Sequence, residues 1–413
     1  MSLQRGATPA NTLNLTRRAG PSTGESYDSA LALAQEALDA GNCDAARELA
    51  ESILESARSQ EDRHAQGSAL LCLAHCERID GNPRRACDHA RDAVQLFELV
   101  GDIPAERSSL TLLAQMSMLL GRNDEAVESA LMCVHLDQAD PPSAMQCLAY
   151  NTLGNAYTWG GDYDRATIAL QTSVRLASQC EPPLSPYQPV LNQFWTECAR
   201  LVDERFRTGT LGHVGMGRLN RLAAACQRLQ GSPPMPLDNR VPAIGETIRA
   251  VLETIRSTWQ GAYSDAQGHL VIAQRSRSSC NVASWVDAAV CWAAGELAWA
   301  RRAWEKAESA FSRMKSVAIE VGHERFACVA QELLAQVYEG QGKHVQARIE
   351  LRELSIRERT IGRESLASRE LVVHWRLGAR RSERHLAQAL AESRQFERWF
   401  GGRADRHRQP PQF

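Results

Sequence analysis

Glycine recurs every forty residues in the first half of this chain, at Gly41, Gly81, Gly121 and Gly161, and other residue types keep step with it. Five residues after each glycine stands alanine: Ala46, Ala86, Ala126 and Ala166. Eight before stands leucine (Leu33, Leu73, Leu113, Leu153), and seven before stands a small residue (Ala34, Ala74, Ala114, Gly154). The register returns later, with Gly261 and Ala266, Arg302 with Ala307 and Phe311, and Gly342 with Ala347 and Leu351. Ahead of the last two turns stand Gly295 and then the pair Leu334 and Ala335. A second turn recurs about halfway between, at Gly101 and Gly322. Such a pattern specifies helix pairs. Glycine supplies the left-handed conformation that ends a first helix, and small residues at fixed places let the second pack closely on it. One pair cannot bury its apolar face alone, so successive pairs must stack. The expected fold is all-α: a solenoid of stacked antiparallel helix pairs followed by a long C-terminal helix.

Other features narrow the function. A net charge of −2 over 413 residues gives no overall pull toward nucleic acid or an anionic membrane, so neither is an expected partner. No apolar run approaches the roughly 18 residues of a membrane span. Residues 1–26 lack a continuous apolar core and are read as a disordered leader rather than a secretory signal. Of twelve cysteines, Cys72 and Cys76 sit four apart and the others are scattered singly among mostly Ala/Leu-rich runs, with no C-x-x-C and no paired histidines at finger spacing. They read as small buried hydrophobes in a reducing cytoplasm, and neither metal nor cofactor is expected. The run "GTLGHVGMG" is followed by no GK[ST] and reads as a flexible connection rather than a phosphate loop.

"LGNAYTWGGDYDRATIAL", Leu153 to Leu170, carries Leu153, Gly154, Tyr157, Gly161 and Ala166 in the order of the tetratricopeptide (TPR) motif. The chain resembles that family over roughly residues 27–355, with a period about six residues longer than the family's usual 34. The resulting divisions are repeats at 27–178, a degenerate helix pair with its connections at 179–245, repeats at 246–355, an exit helix at 356–400 and a disordered tail at 401–413. The resemblance implies a concave face built from the first helix of each pair, with ligand-facing positions ten, six and three residues before the turn glycine. Those positions are Leu71, His75 and Arg78, then Thr111, Gln115 and Met118, then Asn151, Asn155 and Thr158. Later repeats contribute Trp292 and Trp299, then Glu332, Gln336 and Glu339. A protein or peptide in that groove is the implied partner. Asn151 and Asn155, one turn apart, suit an extended peptide backbone.

Trp285, Trp292 and Trp299 fall at seven-residue spacing, hence on one helical stripe. Two readings stay open for them: an aromatic groove, or packing against the neighbouring repeat. The eleven histidines include no H-E-x-x-H, and His75 reads as a groove or surface residue rather than a catalyst. Nothing in the sequence calls for catalysis.

The segment after the last repeat is charged and sparsely apolar, suited either to pairing with a second copy as a homodimer or to capping the array. It resembles the connector of bacterial TPR-linked diguanylate cyclases, whose catalytic domain opens D-x-L-T-G-[LI]-x-N-R-R. Here "GGRADRHRQPPQF" stands in its place. Displaced by one base, codons for Asp405, Arg406, His407, Arg408 and Gln409 can read Thr-Gly-Ile-Ala-Asn, and Pro410 and Pro411 can read Arg-Arg. The expectation is therefore a sensory array without its catalytic domain, and not an enzyme as written. The alternatives are a stand-alone TPR adaptor or the sensor region of a transcription regulator.

Overall fold

A computed structural model of the chain describes residues 24–136, 142–230, 241–278 and 285–360. Among them lie sixteen helices and no strand. In the first half they pair as α1 (Gly24–Asp39) with α2 (Cys43–Ser59), and α3 (Arg63–Ile79) with α4 (Pro83–Val100). Next come α5 (Ile103–Leu119) with α6 (Asn123–Leu136), and α7 (Ala144–Gly160) with α8 (Tyr163–Gln179). A longer helix, α9 (Tyr187–Thr208), packs with α10 (His213–Leu229). The array then resumes as α11 (Val241–Trp259) with α12 (Tyr263–Ser278), and α13 (Trp285–Ala300) with α14 (Trp304–Glu320). It closes with α15 (Glu324–Gly340) and α16 (His344–Thr360). Helix α1 begins inside the stretch read as leader. The exit segment beyond residue 360, the tail and the rest of the leader lie outside the described residues.

The turn glycines do what their spacing implies. Gly41, Gly81, Gly121 and Gly161 have φ of 79°, 79°, 69° and 82°. At Gly161 the following amide, Asp162 N–H, donates back to the Tyr157 carbonyl at 2.9 Å, satisfying a carbonyl the ended helix would leave orphaned. The residue after the glycine then caps the next helix. Asn42 accepts from the Ala45 N–H at 3.2 Å, and Asp162 from the Arg165 N–H at 3.1 Å. Asn82 differs: its amide donates to the Glu77 carboxylate at 2.9 Å.

Ala46, Ala86, Ala126 and Ala166 are all completely buried, as the register requires. At Gly154 the approach is closer than any side chain allows, since a Cβ there would lie 2.5 Å from Leu170 Cγ. Leu73, Leu113 and Leu153 are buried, whereas Leu33 is 55% exposed. Among the described residues no helix precedes α1 to cover Leu33.

Apolar packing divides the molecule unevenly. The first eight helices hold several small clusters, each shared by neighbouring helices. From α9 to α15 one continuous core runs through Phe194, Leu201, Leu252, Ile255, Phe311 and Phe326. The Gly-rich run read as a flexible connection is a connection only in its first half. Residues 213–217 form the opening turn of α10, where a Cβ on Gly215 would lie 2.5 Å from Leu201 Cδ2. The glycine there serves contact between helices rather than flexibility.

Candidate functional site

The first helices of five pairs (α3, α5, α7, α13, α15) carry the residues that the register assigns to the inner face. His75, Gln115 and Asn155 occupy the same position on three successive ones, and all three are half-buried. Gln115 and Asn155 have no hydrogen-bond partner among the described residues. Arg78 is also half-buried.

Other positions on this face are taken up by the fold. Met118 is 6% exposed and packs in a cluster with Ala114, Leu153 and Ala156. Asn151 is 5% exposed, and its side-chain oxygen accepts from Asn192 Nδ2 at 2.8 Å. The Thr158 hydroxyl donates to or accepts from that of Thr196 at 2.8 Å. Asn151 and Thr158 thus face α9 rather than an open groove, because α9 stacks directly on α7. Of the expected asparagine pair, only Asn155 is left for a ligand.

The tryptophan stripe resolves toward packing at its centre. Trp292 is buried, its ring 5.7 Å from that of Trp195, and its indole N–H donates to Glu296 Oε1 at 3.3 Å. Glu296 also accepts from both Arg205 Nη atoms, at 2.6 and 2.7 Å, and from Trp259 Nε1 at 3.0 Å. Burial penalises the Glu296 carboxylate, but Arg205 and the two indole N–H groups outweigh it and hold its pKa below the ordinary value. Arg205 lies over Trp299 at 5.1 Å from the ring centre and over Trp259 at 5.6 Å. Trp299 Nε1 and Gln336 Nε2 are buried donors without an acceptor among the described residues.

Where the two halves of the array meet, rings from four helices converge. Trp159 at the end of α7 lies 5.7 Å from Trp195, 4.8 Å from His323 and 5.6 Å from Phe326. Burial pushes the His323 imidazole down to about 3, so it is neutral at ordinary pH. Beside these rings Asp203 accepts from the Tyr163 hydroxyl at 2.6 Å and from Arg325 Nη2 at 3.1 Å. Burial opposes the charge on Arg325, yet Asp203 keeps its pKa above the ordinary value. The space between Trp159, Trp195, Trp292 and Arg325 is only about 20 Å³, room for one water molecule.

Sequence reasoning missed this junction. Trp195 lies forty residues after Asn155, in the same column as His75 and Gln115, but α9 fell in the stretch read as degenerate and received no register. Trp159 stands one residue beyond Thr158, just outside the ligand-facing set. The roomier hollows lie on the outer side. They measure about 610 and 570 Å³ and are lined by α6, α7 and α8, the first by residues of both charge signs and the second without a carboxylate.

The arrangement offers amide and indole donors, aromatic faces and neutralised ion pairs. Among the described residues no group of three or more His, Cys, Asp or Glu could hold a metal ion. Ten of the eleven described cysteines are buried, and all are free thiols. No described helix is long and apolar enough to cross a membrane.

The sequence matches no protein-family profile and no curated protein. Solved structures resemble the fold. One is a Rap protein complexed with Competence and Sporulation Factor, at 12% identity and TM-score 0.50, covering 82% of this chain and 99% of that chain. Another is the apo form of RapI, at 9% identity and TM-score 0.46, covering 81% and 98%. A third is a tetratricopeptide repeat protein from Parabacteroides merdae, at 16% identity and TM-score 0.45, covering 74% and 99%. The fold is a helical repeat solenoid like that of the Rap protein complexed with Competence and Sporulation Factor.

Proposed function

We propose that the chain is a binding array whose inner face recognises an extended peptide or a peptide-like segment of a partner protein. The observation that carries this is the column His75, Gln115 and Asn155, half-buried on three successive first helices, with the two amides unpartnered. Helices packed ~8–10 Å apart space such a column over ~20 Å. An extended chain advances ~3.3 Å per residue, so about six residues of peptide would run along it. Side-chain amides both donate and accept, which matches a peptide backbone without demanding a particular sequence. The likeness to a Rap protein complexed with a factor agrees with this reading.

The test is selection of peptides from a random displayed library on the full chain, then titration of one recovered peptide. The double variant Q115A/N155A is expected to weaken its binding tenfold or more. A peptide that binds wild type and double variant equally would remove the column from the site.

A finer reading makes the array the input half of a signalling protein related to diguanylate cyclases. What supports it is the tail sequence after residue 400, through its one-base-shifted reading. GTP turnover by a frame-corrected chain would support it, and a nucleotide sequence whose shifted frame encodes no cyclase-like continuation would exclude it.

A further inference from the structure

The continuous core of α9–α15 admits a large ring from the first half of the molecule. Trp159, half-buried at the end of α7, packs both in a cluster of its own half and against that core. Its partners there include His323 and Phe326, at the turn into α15 and on α15 itself. These residues lie more than 160 positions along the chain. A second contact sits on the same side. A Cβ on Gly322, at φ 70°, would lie 3.7 Å from Leu120 Cδ2 and 3.8 Å from Pro83 Cγ. The turn between α14 and α15 therefore lies within van der Waals reach of the start of α4 and the end of α5.

The other connection between the halves, besides Val174 of α8 against the same core, is rich in hydrogen bonds. Along the stack, α7 and α8 meet α9 through Asn192 to Asn151 at 2.8 Å, Thr158 with Thr196 at 2.8 Å, Tyr163 to Asp203 at 2.6 Å and Arg200 to Asp164 at 2.8 Å. Individual hydrogen bonds at such a joint can re-form with water or with each other when it tilts, and the single Val174 contact can slide with it. Interdigitated rings have no such intermediate and are either seated or unseated.

We propose that the Trp159 contact is a latch. The first eight helices and α9–α16 articulate at the hydrogen-bonded joint, and seating Trp159 against the His323 and Phe326 rings closes the superhelix into the form described here. In the closed form the space beside Trp159 holds no more than a water molecule. Opening uncovers the faces of Trp195, Trp292 and Phe326 and extends the inner surface beyond the His75, Gln115 and Asn155 column. Only this consequence rests on the peptide-binding reading. The articulation stands without any ligand.

The experiment uses the full chain and no ligand, so failure of the binding reading leaves it intact. Trp159→Ala is compared with wild type by small-angle X-ray scattering and by hydrogen exchange read peptide by peptide. The expected result is a larger radius of gyration. Exchange should be at least tenfold faster at 319–327 and in the last turns of α5 and α7, with α11 and α13 unchanged. A folded variant with wild-type scattering and exchange overturns the latch. Should Trp159→Ala fail to fold, Leu120→Arg places a charge at the second contact and is read by the same two outcomes.

Discussion

Two glycines inside helices show how one substitution changes sign with its neighbours. In α13 a Cβ on Gly295 would lie 2.3, 2.6 and 2.7 Å from three ring atoms of Phe311, itself 1% exposed and enclosed by the core. Gly295→Ala is expected to destabilise by about 1–3 kcal/mol, the usual range for overpacking. In α12 nothing lies within 4 Å of a Cβ on Gly268, so Gly268→Ala should stabilise by about 0.5–1 kcal/mol through helix propensity alone. Urea midpoints at unchanged slope measure both, and two shifts of the same sign would contradict the packing described. His323 supplies a pH-dependent counterpart. Its ring nitrogen Nδ1 accepts from the Phe326 N–H at 3.5 Å, and burial pushes its pKa from an ordinary 6.5 down to about 3. The unfolded chain binds this proton near pH 6.5 and the folded chain does not until near pH 3. Its stabilising contribution is therefore complete above 6.5 and is lost as pH falls toward 3, by about 1.4 kcal/mol per unit. His323→Asn keeps a capping acceptor but cannot titrate. Between pH 7 and 5 wild type should lose about 2 kcal/mol more than the variant, and parallel stability curves would refute the assignment. The register in the sequence marks Gly295 as a small position. His323 could not be identified that way, because what perturbs it is chiefly burial in the folded molecule, with a smaller push from the charge of Arg325.

At the level of helices and turns, legibility follows how local the determinants are. The glycine, alanine and leucine columns were readable because each acts within one helix pair, through a left-handed turn and a close approach a few residues away. Arg302 marks the limit. It stands where the register expects glycine and adopts φ 58°, a conformation an L side chain occupies only at a cost. Arg302→Gly should therefore stabilise by about 1 kcal/mol, read as a raised thermal midpoint. A lowered midpoint would mean that the Arg302 side chain stabilises more than its backbone strain costs. Helix α9 was harder to read, since its determinants are distant. Arg205 pairs with Glu296, ninety-one residues on, and Asp203 with Arg325, 122 residues on. The same distance explains the candidate site. Asn151, Thr158 and Trp292 hold inner-face positions by register, and only three-dimensional stacking decides that α9 and Glu296 take them up.

Across the whole molecule, uneven packing implies uneven stability. In a solenoid, stability is approximately a sum of terms between neighbouring pairs, so each half can respond to damage separately. The first eight helices are held by small clusters, whereas α9–α15 share one core with a buried ion pair at its centre. Glu296 is 1% exposed and, among the described residues, is the only carboxylate that Arg205 bonds. Glu296→Gln removes the negative charge and leaves the guanidinium of Arg205 buried without its counter-ion, a defect that costs about 3–5 kcal/mol in comparable sites. The loss should fall on the second half alone. In native-state hydrogen exchange, amides of α11, α13 and α15 should exchange several hundredfold faster, since about 1.4 kcal/mol corresponds to tenfold. Amides of α3 to α6 should keep their wild-type rates, because no apolar cluster of those helices extends to Glu296 or Arg205. If α3 to α6 lose protection in parallel, the chain unfolds as one cooperative unit. The division into two articulating bodies, and with it the latch at Trp159, would then have no energetic basis.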